Sequence, residues 1–139
     1  MTPHQAYRRS SQSGWTRIEM LLAIYDETIT AIEGGLEILN QDRMADYPAQ
    51  QLRASQLCLL LISGIDPGGS DVSRQIYSLC LFCLNQISQP VAGNWTHARD
   101  LLMTLRSGFQ EIREQGIQME NEGTIARLSS APAQTLLHV

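Results

Sequence analysis

The sequence predicts an all-α fold, an antiparallel four-helix bundle. Three observations carry that prediction. Apolar residues recur in steps of four and three along four segments of the 139-residue chain, the period of a helix with one buried face. Capping and breaker residues separate the segments. No stretch alternates apolar with polar residues as a half-buried strand would.

The first helix is expected over 17–40. It opens on Thr16-Arg17-Ile18-Glu19, a capping-box pattern. Ile18, Leu22, Tyr25, Ile29, Ile32, Leu36 and Leu39 mark its apolar face. Gly34-Gly35 costs helix stability, about 1 kcal/mol per glycine relative to alanine, and a close approach of another helix would account for the pair. The second helix is expected from Pro48, a favoured first-turn residue, to near Gly64. Its segment from Leu57 to Ile62 is apolar on every side.

The loop from Ser63 to Ser70 is dense in glycine, with one proline. The third helix begins at Ser70 or Asp71 and carries two stripes. Val72, Ile76, Leu79, Cys83 and Ile87 form one; Tyr77, Leu81 and Leu84, joined by Cys80, form the other. Two stripes require two partners, either bundle neighbours on both sides or a foreign helix in a groove. The turn Gln89-Pro90-Val91-Ala92-Gly93 precedes a fourth helix, starting at Asn94 or Thr96, with Ala98, Leu102, Leu105, Phe109 and Ile112 on its face. The chain then divides into an arm over 1–15, a bundle over 16–116, and a short fifth helix or tail over 117–139.

Composition narrows the function. The net charge is -4, which argues against nucleic-acid binding, where phosphate contacts supply much of the affinity. All ten basic residues are arginine, so Schiff-base and P-loop lysine chemistry is excluded. No run of about 18 apolar residues occurs, so no membrane-spanning helix is expected. The first fifteen residues lack an apolar core, so they are not expected to form a secretory signal.

No constellation supports catalysis. His4, His97 and His138 have no second ligand at a metal-binding spacing, and no glycine-rich phosphate loop or nucleophile elbow occurs. Glu33 and Glu37 share a helix face off the apolar stripe and read as solvated. Cys80-x-x-Cys83 resembles half of a metal site, but no second pair completes it. Both cysteines lie on an apolar helix, where a free thiol packs as a small hydrophobe. No enzyme activity, metal or cofactor is expected.

Several motifs, taken in order, resemble the FliS family of flagellar export chaperones. Ala6-Tyr7 stands in a polar arm, and Met20-Leu21-Leu22-Ala23-Ile24-Tyr25-Asp26 follows in the first helix. A glycine-rich turn leads to Ile76-Tyr77-Ser78-Leu79, with Phe82 and Leu84 beyond; Leu101-Leu102, Leu105-Arg106 and Phe109 stand in the last helix. The resemblance spans about residues 5–115. It implies a cytosolic protein that sequesters the C-terminal segment of flagellin, blocks premature polymerisation and keeps that client competent for type III export. The alternatives are a self-associating structural or regulatory bundle with another protein partner, and a small-molecule-binding bundle or enzyme; a second copy, in a homodimer, is a further candidate partner.

The binding surface is expected where apolar residues exceed what packing consumes. That places a groove at Leu57, Leu60 and Leu61 of the second helix with Tyr77, Leu81 and Leu84 of the third. Tyr7 is a candidate anchor docking on the bundle. Tyr25 and Asp26 are a further candidate contact on the first helix.

Overall fold

The computed structural model describes residues 17–121. Four helices span nearly all of them: α1 (Arg17–Asn40), α2 (Tyr47–Ser63), α3 (Asp71–Gln86) and α4 (Ala92–Asn121), with a 3-10 turn at Met44–Asp46 leading into α2. No strand occurs among the described residues. The expected all-α bundle is the observed fold. None of the described helices is long and apolar enough to cross a membrane.

Local chemistry sets the boundaries. Asp42, with φ of 55°, turns the chain out of α1, a left-handed conformation that Asp tolerates better than most residues. Pro48 sits in the first turn of α2, where its missing N–H is no loss. Ser70 caps α3, its hydroxyl accepting from the Ser73 N–H at 3.0 Å. The Asp66 carboxylate accepts from the Gly68 N–H at 2.9 Å within the α2–α3 loop. The Val91 carbonyl accepts from the N–H groups of Asn94 and Trp95 and starts α4.

Cross-links show α1 antiparallel to both neighbours. Toward α4, Arg113 pairs with Glu19 at 3.0 Å and Arg106 pairs with Asp26; farther along, Gly35 meets Trp95. Toward α2, Arg53 pairs with Glu27 at 2.9 Å, and the Gln50 side chain donates to the Ala31 carbonyl at 2.7 Å. On α3, the Cys83 thiol lies 3.8 Å from the Ala98 carbonyl of α4. The helices pack in chain order around one core, α4 closing against α1.

The core contains every residue of the expected first stripe through Leu36, with Leu39 packed at its edge. α1 buries a second stripe as well: Ile24, Thr28, Ala31, Gly35 and Ile38. Thr28 is tolerated there because its hydroxyl donates to the Ile24 carbonyl at 2.7 Å.

The expected end of the last helix moves. α4 continues through Gly116 to Asn121, because the buried stripe Ala98, Leu102, Phe109 extends to a buried Gly116. There glycine is a buried residue inside the helix, not a stop. Residues 117–121 therefore prolong α4, and the remainder of the expected fifth helix or tail lies outside the described residues, as does the arm over 1–15.

Gly35 has no room for a side chain. A Cβ there would overlap the Trp95 ring, 2.6 Å from Cε3 and 2.8 Å from Cη2. At Gly34 the obstacle is only the end of the Gln50 side chain, which can move aside at the cost of one hydrogen bond. Gly35→Ala is therefore expected to destabilise the fold by about 2 kcal/mol or more through overpacking. Gly34→Ala is expected to fall within about 1 kcal/mol of wild type, helix propensity offsetting the lost bond. Urea unfolding of both variants checks this; equal effects would contradict the Trp95 contact.

Candidate functional site

The residues expected to form one groove separate on folding. Leu57 and Leu61 are core, 5 % and 2 % exposed. Leu60 is exposed, but it follows Arg53 and Leu57 in steps of four and three. That row leads along the edge of α2 where Arg53 meets Glu27 of α1. On α3, Leu81 is 41 % exposed, while Tyr77 and Leu84 are half-buried and Leu84 packs against the core. Of the three expected α3 residues, Leu81 is the exposed one. Of the α2 residues, Leu57 and Leu61 lie inside and Leu60 outside, because in a segment that is apolar all round periodicity cannot distinguish inside from outside.

The outward face of α2 is instead the row Leu52, Gln56, Leu59 and Ser63, opposite buried Ala54, Leu57 and Leu61. Leu52 is 56 % and Leu59 51 % exposed. The outward row of α3 is Ser78, Leu81, Phe82 and Asn85, opposite Ile76, Cys80 and Cys83; Phe82 is also exposed. Because α2 and α3 pack side by side, these rows form one outer surface.

That surface is depleted of charge. α2 contains one charged residue, Arg53, and α3 only Asp71 and Arg74 in its first turn. Arg53 is paired with Glu27, and Arg74 with Asp71. From Gln75 to Ala98 the chain carries no Asp, Glu or Arg. Exposed leucine and phenylalanine among uncharged Gln, Ser and Asn is the composition of an interface core, which excludes charge and favours aromatic residues. Isolated exposed leucines are ordinary, but Leu52, Leu59, Leu81 and Phe82 exposed together on a face whose charges are few and paired are not.

The other candidate contact behaves differently. Tyr25 is 1 % exposed, its ring tilted against Phe109 at 5.7 Å and its hydroxyl beside the Cys80 thiol. Burial, reinforced by Cys80, raises its pKa far above the ordinary phenol value. It is a core residue and cannot meet a partner without unfolding. Asp26 is exposed and held by Arg106, whose guanidinium donates to both carboxylate oxygens. An exposed pair of this kind contributes roughly 0–1 kcal/mol. Asp26, Glu27, Thr30, Ala31 and Arg53 line a surface notch of about 370 Å³ between α1 and α2, with the Arg53–Glu27 ion pair in its wall. Tyr7 lies outside the described residues.

Cys58, Cys80 and Cys83 are buried free thiols. No group of three or more His, Cys, Asp or Glu side chains among the described residues could hold a metal ion. His97 is exposed on α4. No protein-family model, curated protein or solved structure matches the chain.

Burial pushes the Cys58, Cys80 and Cys83 thiols up to about 12, 11 and 12, from an ordinary 9.0. Between these values the folded state holds more protons than the unfolded chain. Stability is therefore full below about pH 9 and falls as pH rises through the folded values, by up to roughly 1.4 kcal/mol per pH unit for each thiol. The urea midpoint is expected to drop clearly between about pH 8 and about pH 10.5. A thiol reagent at about pH 8 is expected to label all three only at the rate of unfolding. Fast labelling in the folded state, or a constant midpoint, would show that the thiols are not buried together.

Proposed function

We propose that this chain is a protein-binding bundle of the flagellar export-chaperone type. It holds the C-terminal segment of flagellin in the cytoplasm, keeps it from polymerising and delivers it competent for type III export. The motifs shared with that family suggest the client. The observation that carries the binding role is the uncharged outer face of α2 and α3, with Leu52, Leu59, Leu81 and Phe82 in water.

Binding on such a face follows simple physics. An amphipathic client segment loses conformational entropy when it is ordered. Burying its apolar side against the leucines returns roughly 25 cal/mol per Å² before association costs are subtracted. The client side chains that drive filament packing would then be covered.

A charged side chain at position 81 would be desolvated without a partner when the client docks. Leu81→Glu is expected to weaken capture of a flagellin C-terminal peptide by about tenfold or more, a loss of roughly 1.4 kcal/mol, with helical circular dichroism unchanged. Met103→Glu, at an exposed site on α4, is expected to bind as wild type. A folded Leu81→Glu protein with wild-type affinity would exclude this face as the site. A wild-type chain that does not bind the peptide would exclude the client.

A further inference from the structure

We propose that, without a client, two copies of this chain cover each other's α2–α3 faces, so that the client-binding surface is capped by a second copy. The client assignment rests on the reading above; the dimer itself does not.

Charge selects the second copy as occupant. The chain carries -4 overall, and copies of an acidic protein repel wherever like-charged faces meet. Beyond the paired Asp26 and Asp100, Glu33 and Glu37 lie exposed on α1, and Glu111 and Glu114 on α4. Opposing two such surfaces places carboxylates against carboxylates. The α2–α3 face has no such cost, since its charges are few and already paired. A two-fold interface requires a surface complementary to itself. An uncharged surface meets the electrostatic part of that condition, with Gln56, Ser78 and Asn85 able to exchange hydrogen bonds around the leucines.

The size of the face sets the strength. Sixteen residues of helix extend about 24 Å, and two helices side by side are roughly 20 Å wide. The face therefore offers about 500 Å² per copy, or about 1,000 Å² in total, at the lower limit for a specific interface. The dimer is accordingly weak and exchanging. Such a cap protects exposed leucines, and a client that binds more tightly displaces it. The apparent client affinity per chain should fall as chaperone concentration rises, because the competent monomer becomes a smaller fraction.

Sedimentation of the full chain without client, from about 1 to about 200 µM, tests the proposal. The mass is expected to rise from monomer to dimer over that range. The dimer should persist at about 1 M sodium chloride, where the Debye length is ~3 Å and charge pairs would be screened. Leu59→Glu and Leu81→Glu are each expected to raise the dissociation constant by about tenfold or more; Met103→Glu is expected to leave it unchanged. A wild-type chain monomeric throughout would overturn the dimer even if it bound flagellin peptide. So would a dimer lost in salt, or one lost with Met103→Glu and kept with both leucine variants. A dimer with the expected behaviour that ignores the peptide would uphold this inference and remove the client.

Discussion

The indole of Trp95 occupies the space that a side chain at position 35 would need, and this contact fixes the spacing of the two long helices. Its consequences reach every part of that end of the bundle. The ring meets Tyr47 edge-on at 5.7 Å, anchoring the start of α2. Its N–H donates to the Gln89 carbonyl at 2.9 Å, tying down the α3–α4 turn. The Tyr47 hydroxyl in turn donates to the Ile87 carbonyl at 3.5 Å. One fully buried side chain thus joins α1, α2, the exit of α3 and the entry of α4. A glycine that weakens an isolated helix becomes the residue that lets the bundle close.

With α1 and α4 held together, the division of labour among helices follows. α1 buries two stripes and α4 packs along it, so their remaining surface is polar and acidic, crossed by Asp26–Arg106 and Glu19–Arg113. The shorter α2 and α3 complete the core through Ala54, Leu57, Leu61, Ile76, Cys80 and Cys83. What they leave outside is leucine, phenylalanine, serine, glutamine and asparagine. A helix whose only duty is to close a core needs an outward face that is charged or polar. Here that face keeps its apolar residues, and the proposed function rests on that contrast between the two halves of the bundle.

Much of the fold was readable because the apolar period of each helix survives in the sequence. The first stripe of α1, the Gly34-Gly35 signal for a close approach, the Ser70 cap and the short links all stand in the structure. Other features were hidden for physical reasons. The second stripe of α1 consists partly of Thr28, Ala31 and Gly35, whose burial depends on neighbours and not on their own hydrophobicity. Trp95 stands three residues before Ala98, in phase with the α4 stripe, yet its place beside a turn suggested a helix start. Gly116 resembled a stop because glycine serves as both a breaker and a contact residue. Leu81 reads as outward because α3 has polar residues to mark its outer side. α2 has few over its apolar half, so Leu57 and Leu61 could not be separated from Leu59. Tyr25 was drawn to the surface by its motif, whereas its ring is consumed by Phe109 and its hydroxyl by Cys80.

The central claim is that the outward side of α2 and α3 is where another protein binds. Footprinting the full chain with a reactive carbene, with and without flagellin C-terminal segment, tests it at the level of residues. Protection concentrated at Leu52, Leu59, Tyr77, Leu81 and Phe82, with Asp26 through Glu37 labelled equally in both states, is the predicted result. Protection concentrated on the acidic side of α1 and α4, with the leucines of α2 and α3 still labelled, would contradict the account.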